Sequence, residues 1–90
     1  MSVEPSLKDL RAIPGVGKEI SEDLWDLDYR SVSDLKGEDP EDMYGRLCKM
    51  RRTHIDRCML YIFRCAVYFA SHRRHDAEKL KWWNWKDRRQ

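Results

Sequence analysis

Apolar residues recur along this chain at helical spacing, and Gly, Pro and Asp interrupt them between runs. Leu7, Leu10 and Ile13 stand three apart behind Ser6, a residue type that caps helix starts, and Pro14 ends their run. Ile20, Leu24 and Leu27 share one face of a second predicted helix, from about Lys18 to Leu27, with Ser21 as a small neighbour. Glu19, Glu22, Asp23 and Asp26 line its outer surface, and acid near a helix start suits the helix dipole. Tyr29-Arg30-Ser31 breaks the pattern, and residues 31–37 read as one short helical turn stopped by Gly37.

Asp39-Pro40-Glu41-Asp42 is a strong helix start, with Asp at the cap, Pro at the first position and acids behind it. Met43, Leu47 and Met50 form the apolar stripe of that helix, with Tyr44 beside it. A second connection at residues 49–54 precedes the longest predicted helix, from about residue 55 or 56 to 71. Ile55, Met59, Leu60, Ile62, Phe63, Ala66, Val67, Phe69 and Ala70 cover most of its circumference and mark it as the central core helix. Arg57, Tyr61, Arg64, Tyr68 and Ser71 form its polar strip, expected as one exposed edge. Asp76 caps a last segment carrying Leu80, Trp82, Trp83 and Trp85, and residues 86–90 are expected to fray. No strand pattern competes, so the fold class is all-α.

Composition narrows this picture. Ninety residues, 41% of them hydrophobic, suit one small domain with a modest core. No apolar run approaches the roughly 20 residues that span a bilayer, and the N-terminus lacks the basic-then-apolar pattern of a secretory signal. Three cysteines without paired spacing point to reduced thiols and a cytoplasmic location. Net charge is only +2, but residues 1–45 hold five Lys/Arg and twelve Asp/Glu (−7), while residues 46–90 hold thirteen and four (+9). Either the second half binds an anion, or the two halves complement each other within one domain.

The candidate chemistry lies at the two connections. In Ile13-Pro14-Gly15-Val16-Gly17-Lys18, Pro and two Gly cannot continue a helix. Gly15, Val16 and Gly17 turn the chain tightly and leave backbone N–H groups at the next helix start, where a phosphate oxygen fits; Lys18 adds charge. Against this, Glu19, Glu22 and Asp23 repel a polyanion within about one Debye length, roughly 8 Å. Lys49, Arg51, Arg52 and Thr53 at the second connection, continued by Arg57 and Arg64 with Tyr61 and Tyr68 between them, supply the missing positive charge. Lacking Gly-x-Gly, that connection binds through side chains, which implies weak, salt-sensitive and sequence-independent contact.

Other chemistries have less behind them. His54, Cys58 and Cys65 share a helical stripe, with Cys48 nearby, but there is no C-x-x-C and free cysteines are readily buried. A structural metal is therefore the minor alternative, and no cofactor or metal is expected. No Cys–His pair with an orienting third group, no paired carboxylates and no phosphate-binding loop of the nucleotide type appears, so the chain reads as non-enzymatic. Trp82, Trp83 and Trp85 offer stacking surfaces for unpaired bases, a seal for a small core, or a protein-docking patch.

The run from Ile13 through Leu24 resembles the helix-hairpin-helix motif of DNA-repair and recombination proteins, with Gly15-Val16-Gly17 at the hairpin and Ile20, Ser21 and Leu24 at packing positions. The wider pattern resembles the small bacterial pathogenicity-locus helix-hairpin-helix proteins. It is carried by Ser31-Val32-Ser33-Asp34-Leu35, Asp39-Pro40-Glu41-Asp42-Met43-Tyr44, Leu47-Cys48, Arg57-Cys58, Phe63-Arg64-Cys65-Ala66-Val67-Tyr68-Phe69-Ala70 and Trp82-Trp83-Asn84-Trp85. That resemblance implies a compact tandem fold of about five helices plus a Trp-rich C-terminal segment. Within one domain over residues 1–90, residues 6–27 form the first copy, 31–37 a connector, 40–71 a degenerate second copy and 76–85 the C-terminal segment. The broader motif implies binding to a DNA backbone, without sequence specificity and with no membrane partner. A protein-interaction adaptor, using the acidic half or the tryptophan tail, is the alternative.

Overall fold

Buried apolar side chains from every helix converge on one core, and that convergence positions both connections. The computed structural model describes residues 9–86. Ser6 and Leu7 lie outside the described residues, as do residues 87–90 of the expected frayed end. Residues 9–11 are helical. They are followed by α1 (Lys18–Asp26), a 3-10 turn (Val32–Leu35), α2 (Pro40–Arg51), α3 (Cys58–Ser71) and two further 3-10 turns (Ala77–Leu80 and Trp82–Trp85). The regular structure of the described residues is all helical, with no strand among them.

Local sequence explains most boundaries. Asp39 accepts the Glu41 N–H at 2.9 Å with Pro40 behind it, so α2 starts where a cap and a proline together place it. Ser31 and Asp34 cap one another's backbone around the first 3-10 turn, whose chain then leaves through Gly37 at φ 75. The expected start of the long helix shifts to Cys58, whose N–H is accepted at 2.8 Å by the Asp56 carboxylate, one residue before the N-cap Arg57. The expected single C-terminal segment is two 3-10 turns separated by Lys81.

Leu10, Ile13, Val16, Leu24, Leu27, Leu35, Met43, Leu47, Phe63 and Ala66 are all buried in the central cluster. Ser21 is fully buried too, its hydroxyl donating to the Lys18 carbonyl at 2.6 Å, which lets α1 pack closely. Tyr29, expected only as part of a break, is 6% exposed and joins the core. Its hydroxyl donates to Glu38 at 2.8 Å and accepts from Arg46 at 2.5 Å, and burial pushes its pKa up to about 12. Met50, expected on the α2 stripe, is instead 46% exposed, because the helix ends one residue later and its last turn runs past the core.

Candidate functional site

The first connection, residues 13–18, is pinned by its own apolar residues. Ile13 and Val16 are buried on either side of the turn, and the Val16 N–H donates to the Ile13 carbonyl at 3.1 Å. Gly15 lies between them at φ 85, a conformation costly for any residue with a Cβ. A Cβ there would also sit 3.0 Å from Cδ1 of Trp82, so the C-terminal tail closes over this turn. Gly17 is the N-cap of α1 and has no side chain to offer, so the helix start carries no side-chain cap bond from its cap residue. The corresponding starts of α2 and α3 carry Asp39 and Asp56. Gly15, Gly17, Lys18 and Glu19 are exposed, so the positive end of the α1 dipole opens to solvent.

The second connection covers residues 52–57 rather than the expected 49–54, because α2 continues through Arg51 and carries Lys49 and Arg51 on its last turn. It solves the same turn differently. The Thr53 N–H donates to the Cys48 carbonyl and the Arg52 N–H to the Lys49 carbonyl, both at 3.2 Å. This pattern closes a helix through a left-handed residue, usually Gly; here it is Arg52, at φ 56. The Tyr44 hydroxyl donates to the Ile55 carbonyl and ties the returning chain to α2. Lys49, Arg52, Thr53 and Arg57 are exposed, and no ion pair joins Lys49 or Arg52 to another described residue.

Arg51 departs from this group. Its Nη2 donates to Asp23 at 2.6 Å and to Asp26 at 2.8 Å, and these hydrogen bonds hold its pKa above the usual arginine value. The side chain expected to lead the second contact therefore clamps α2 to α1. The clamp also cancels part of the negative charge of α1, leaving Glu19 and Glu22 exposed near the first connection. Asp23 lies six residues beyond Gly17, about 9 Å along the helix axis. Both connections thus sit along one helix, the first at its N-terminus and the second beside its later turns.

The polar strip of α3 is not the exposed edge its sequence suggests. Arg64 donates from Nη1 to the Trp85 carbonyl and from Nη2 to Glu41, each at 2.8 Å. The Tyr68 ring packs 5.5 Å from Trp85, and its hydroxyl accepts the Asp76 N–H at 2.8 Å. The tail covers this strip, which removes Arg64 from the basic surface. A groove of about 620 Å³ remains between Arg64 and Lys79, Asn84 and Trp85. Its walls bond to one another: Asn84 Nδ2 donates to the Glu78 carbonyl and Trp85 Nε1 to the Lys79 carbonyl, both at 2.7 Å.

Cys48, Cys58 and Cys65 are free thiols. Cys65 is buried with its Sγ 3.5 Å from the Leu80 carbonyl, and burial pushes its pKa up to about 11. The Asp56 carboxylate raises the Cys58 thiol as well. Among the described residues no group of three His, Cys, Asp or Glu comes together to hold a metal ion. No helix among them is long and apolar enough to cross a membrane.

Two contacts had no local signal in the sequence: Trp82 on Gly15, and Arg51 on Asp23 and Asp26. The opposite net charges of the two halves hinted at the second without naming its partners. A model of the family described as Cdd1, pathogenicity locus, matches residues 4–90. No curated protein and no solved structure matches the chain.

Proposed function

We propose that this chain, which belongs to the Cdd1 (pathogenicity locus) family, is a non-enzymatic, cytoplasmic helix-hairpin-helix module that holds a DNA backbone without reading its sequence. The observation that carries this reading is the uncapped, exposed start of α1 behind Gly15, Val16 and Gly17. Backbone N–H groups at such a helix start donate to one phosphate, and Lys18 adds a charge beside it. Residues 40–71 form the second, degenerate copy, whose hairpin contributes Lys49, Arg52, Thr53 and Arg57 through side chains. Arg51 acts indirectly, by offsetting part of the charge of Asp23 and Asp26 so that α1 repels a polyanion less. Phosphate contacts of this kind position a protein on a strand without specifying bases.

The test is a titration with duplex DNA between about 50 and 200 mM salt, where each neutralised phosphate contributes roughly −0.9 to the slope of log affinity against log salt. Affinity is expected to fall steeply, with a slope near −3 to −4 from the four basic side chains named. No detectable binding at the lowest salt sinks the reading. That result would leave a protein-interaction adaptor, for which the exposed Met50 and Trp83 are the observations in favour.

A further inference from the structure

The three tryptophans of the tail have separate surroundings. Trp85 is held at both ends, its indole N–H on the Lys79 carbonyl and its own carbonyl on Arg64. Trp82 packs against the core and lies over Gly15. Trp83 is 49% exposed and touches Trp82 edge-on, with ring centroids 5.8 Å apart at 85°. One indole is thus left facing water, a single ring away from the turn at Gly15. Its exposed face is large, flat and apolar, which suits a planar aromatic partner.

We infer that Trp83 is a base-stacking residue, so that this surface takes single-stranded DNA in preference to continuous duplex. The inference rests on the backbone-binding reading of the first connection. Gly15, Trp82 and Trp83 form an unbroken row of contacts. In this inference a strand with a phosphate at the α1 start follows that row, and a neighbouring base stacks on the indole. In a continuous duplex both faces of each base are covered by its neighbours, so only unpaired nucleotides present a face to stack. Lys79 and Lys86 are exposed beside this turn, whereas Lys81 is paired with Glu78 at 3.1 Å and Asp76 and Asp87 balance the stretch, so the open indole face rather than the local charge carries the inference. The indole is also presented rigidly, because Asn84, Trp85 and Arg64 brace the 3-10 turn that carries it. Little conformational freedom is lost when a base arrives.

The experiment measures binding of a short oligothymidine strand and of a duplex of equal length at one fixed salt, with wild type, Trp83→Ala and Trp83→Phe. Wild type is expected to prefer the single strand. Stacking is worth a factor of about 5 to 140 per base, so Trp83→Ala should lose affinity for the strand in that range and keep its duplex affinity within about two-fold. Trp83→Phe should keep most of the strand affinity, and the salt slope should be the same in all three proteins. Equal strand affinity in wild type and Trp83→Ala, with both DNAs still bound, overturns the stacking role and leaves the backbone reading in place. Binding of neither DNA by wild type overturns both. If wild type self-associates without DNA and Trp83→Ala does not, the indole belongs to a second copy of the chain and the inference also falls.

Discussion

The connection at residues 13–18 turns on a glycine at φ 85, whereas the one at residues 52–57 turns on an arginine at φ 56. Both conformations disfavour a Cβ, by roughly 1–2 kcal/mol for an L-residue. The difference is what approaches the turn. At Gly15 the Trp82 ring comes within 3.0 Å of the position a Cβ would occupy, so the backbone conformation and the packing both exclude a side chain. At Arg52 the side chain is exposed, and the chain carries the conformational cost while gaining a positive charge. A left-handed position therefore does not by itself demand glycine; a neighbour packed against its Cβ does. The two turns consequently offer opposite surfaces, bare N–H groups at one and cationic side chains at the other.

Substituting the turn residues tests this contrast most severely. Gly15→Ala should destabilise the protein by about 2 kcal/mol or more, combining left-handed strain with displacement of Trp82, as read from the urea midpoint. In a Trp82→Ala background the same change should cost only the backbone strain. An equal cost in both backgrounds would show that Trp82 plays no part.

A smaller effect is expected at the clamp between the two regions. Arg51→Ala should cost about 1 kcal/mol, the upper end for a partly exposed ion pair, with a similar coupling to Asp23→Asn in a double-mutant cycle. Absence of coupling would detach the second connection from α1. The smallest change has the opposite sign. Arg52→Gly should stabilise the fold by about 0.5–1 kcal/mol, since Gly adopts the left-handed region freely but loses more entropy on folding. It should also reduce the salt slope of DNA binding by about 1. Greater stability with an unchanged slope would remove Arg52 from the binding surface and leave its position purely structural.

Elements whose signals are local were legible in the sequence. α1 follows the spacing of Ile20, Leu24 and Leu27, α2 begins at its Asp39-Pro40 cap, and Phe63 and Ala66 mark the core face of α3. In the candidate site, turn chemistry and charge single out Gly15, Val16, Gly17, Lys18, Lys49 and Arg52; all but the buried Val16 are exposed. The errors fall where the deciding partner is distant. The polar strip of α3 looks like a solvent face until Trp85 lies along it, and Arg51 looks like part of a basic surface until Asp23 and Asp26 meet it. Tyr29 reads as a loop residue because its hydroxyl partners, Glu38 and Arg46, are supplied by later segments.

By itself, then, the sequence determined the helical class, the existence of α1, α2 and α3 and the glycine turn at residues 13–17, while the second connection and the start of α3 fall two to three residues later than expected. Caps, prolines and apolar periodicity act over three or four residues, so they can be read along the chain. Tertiary structure alone decided which of the charged and aromatic side chains remain exposed. Burial and ion pairing depend on surfaces that meet only after folding, and the same Arg or Trp codes equally well for a ligand contact or for an internal clamp. Packing resolved that ambiguity residue by residue: Arg64, Trp82 and Trp85 were drawn inward, Arg51 was tied to α1, and Arg52 and Trp83 were left facing solvent.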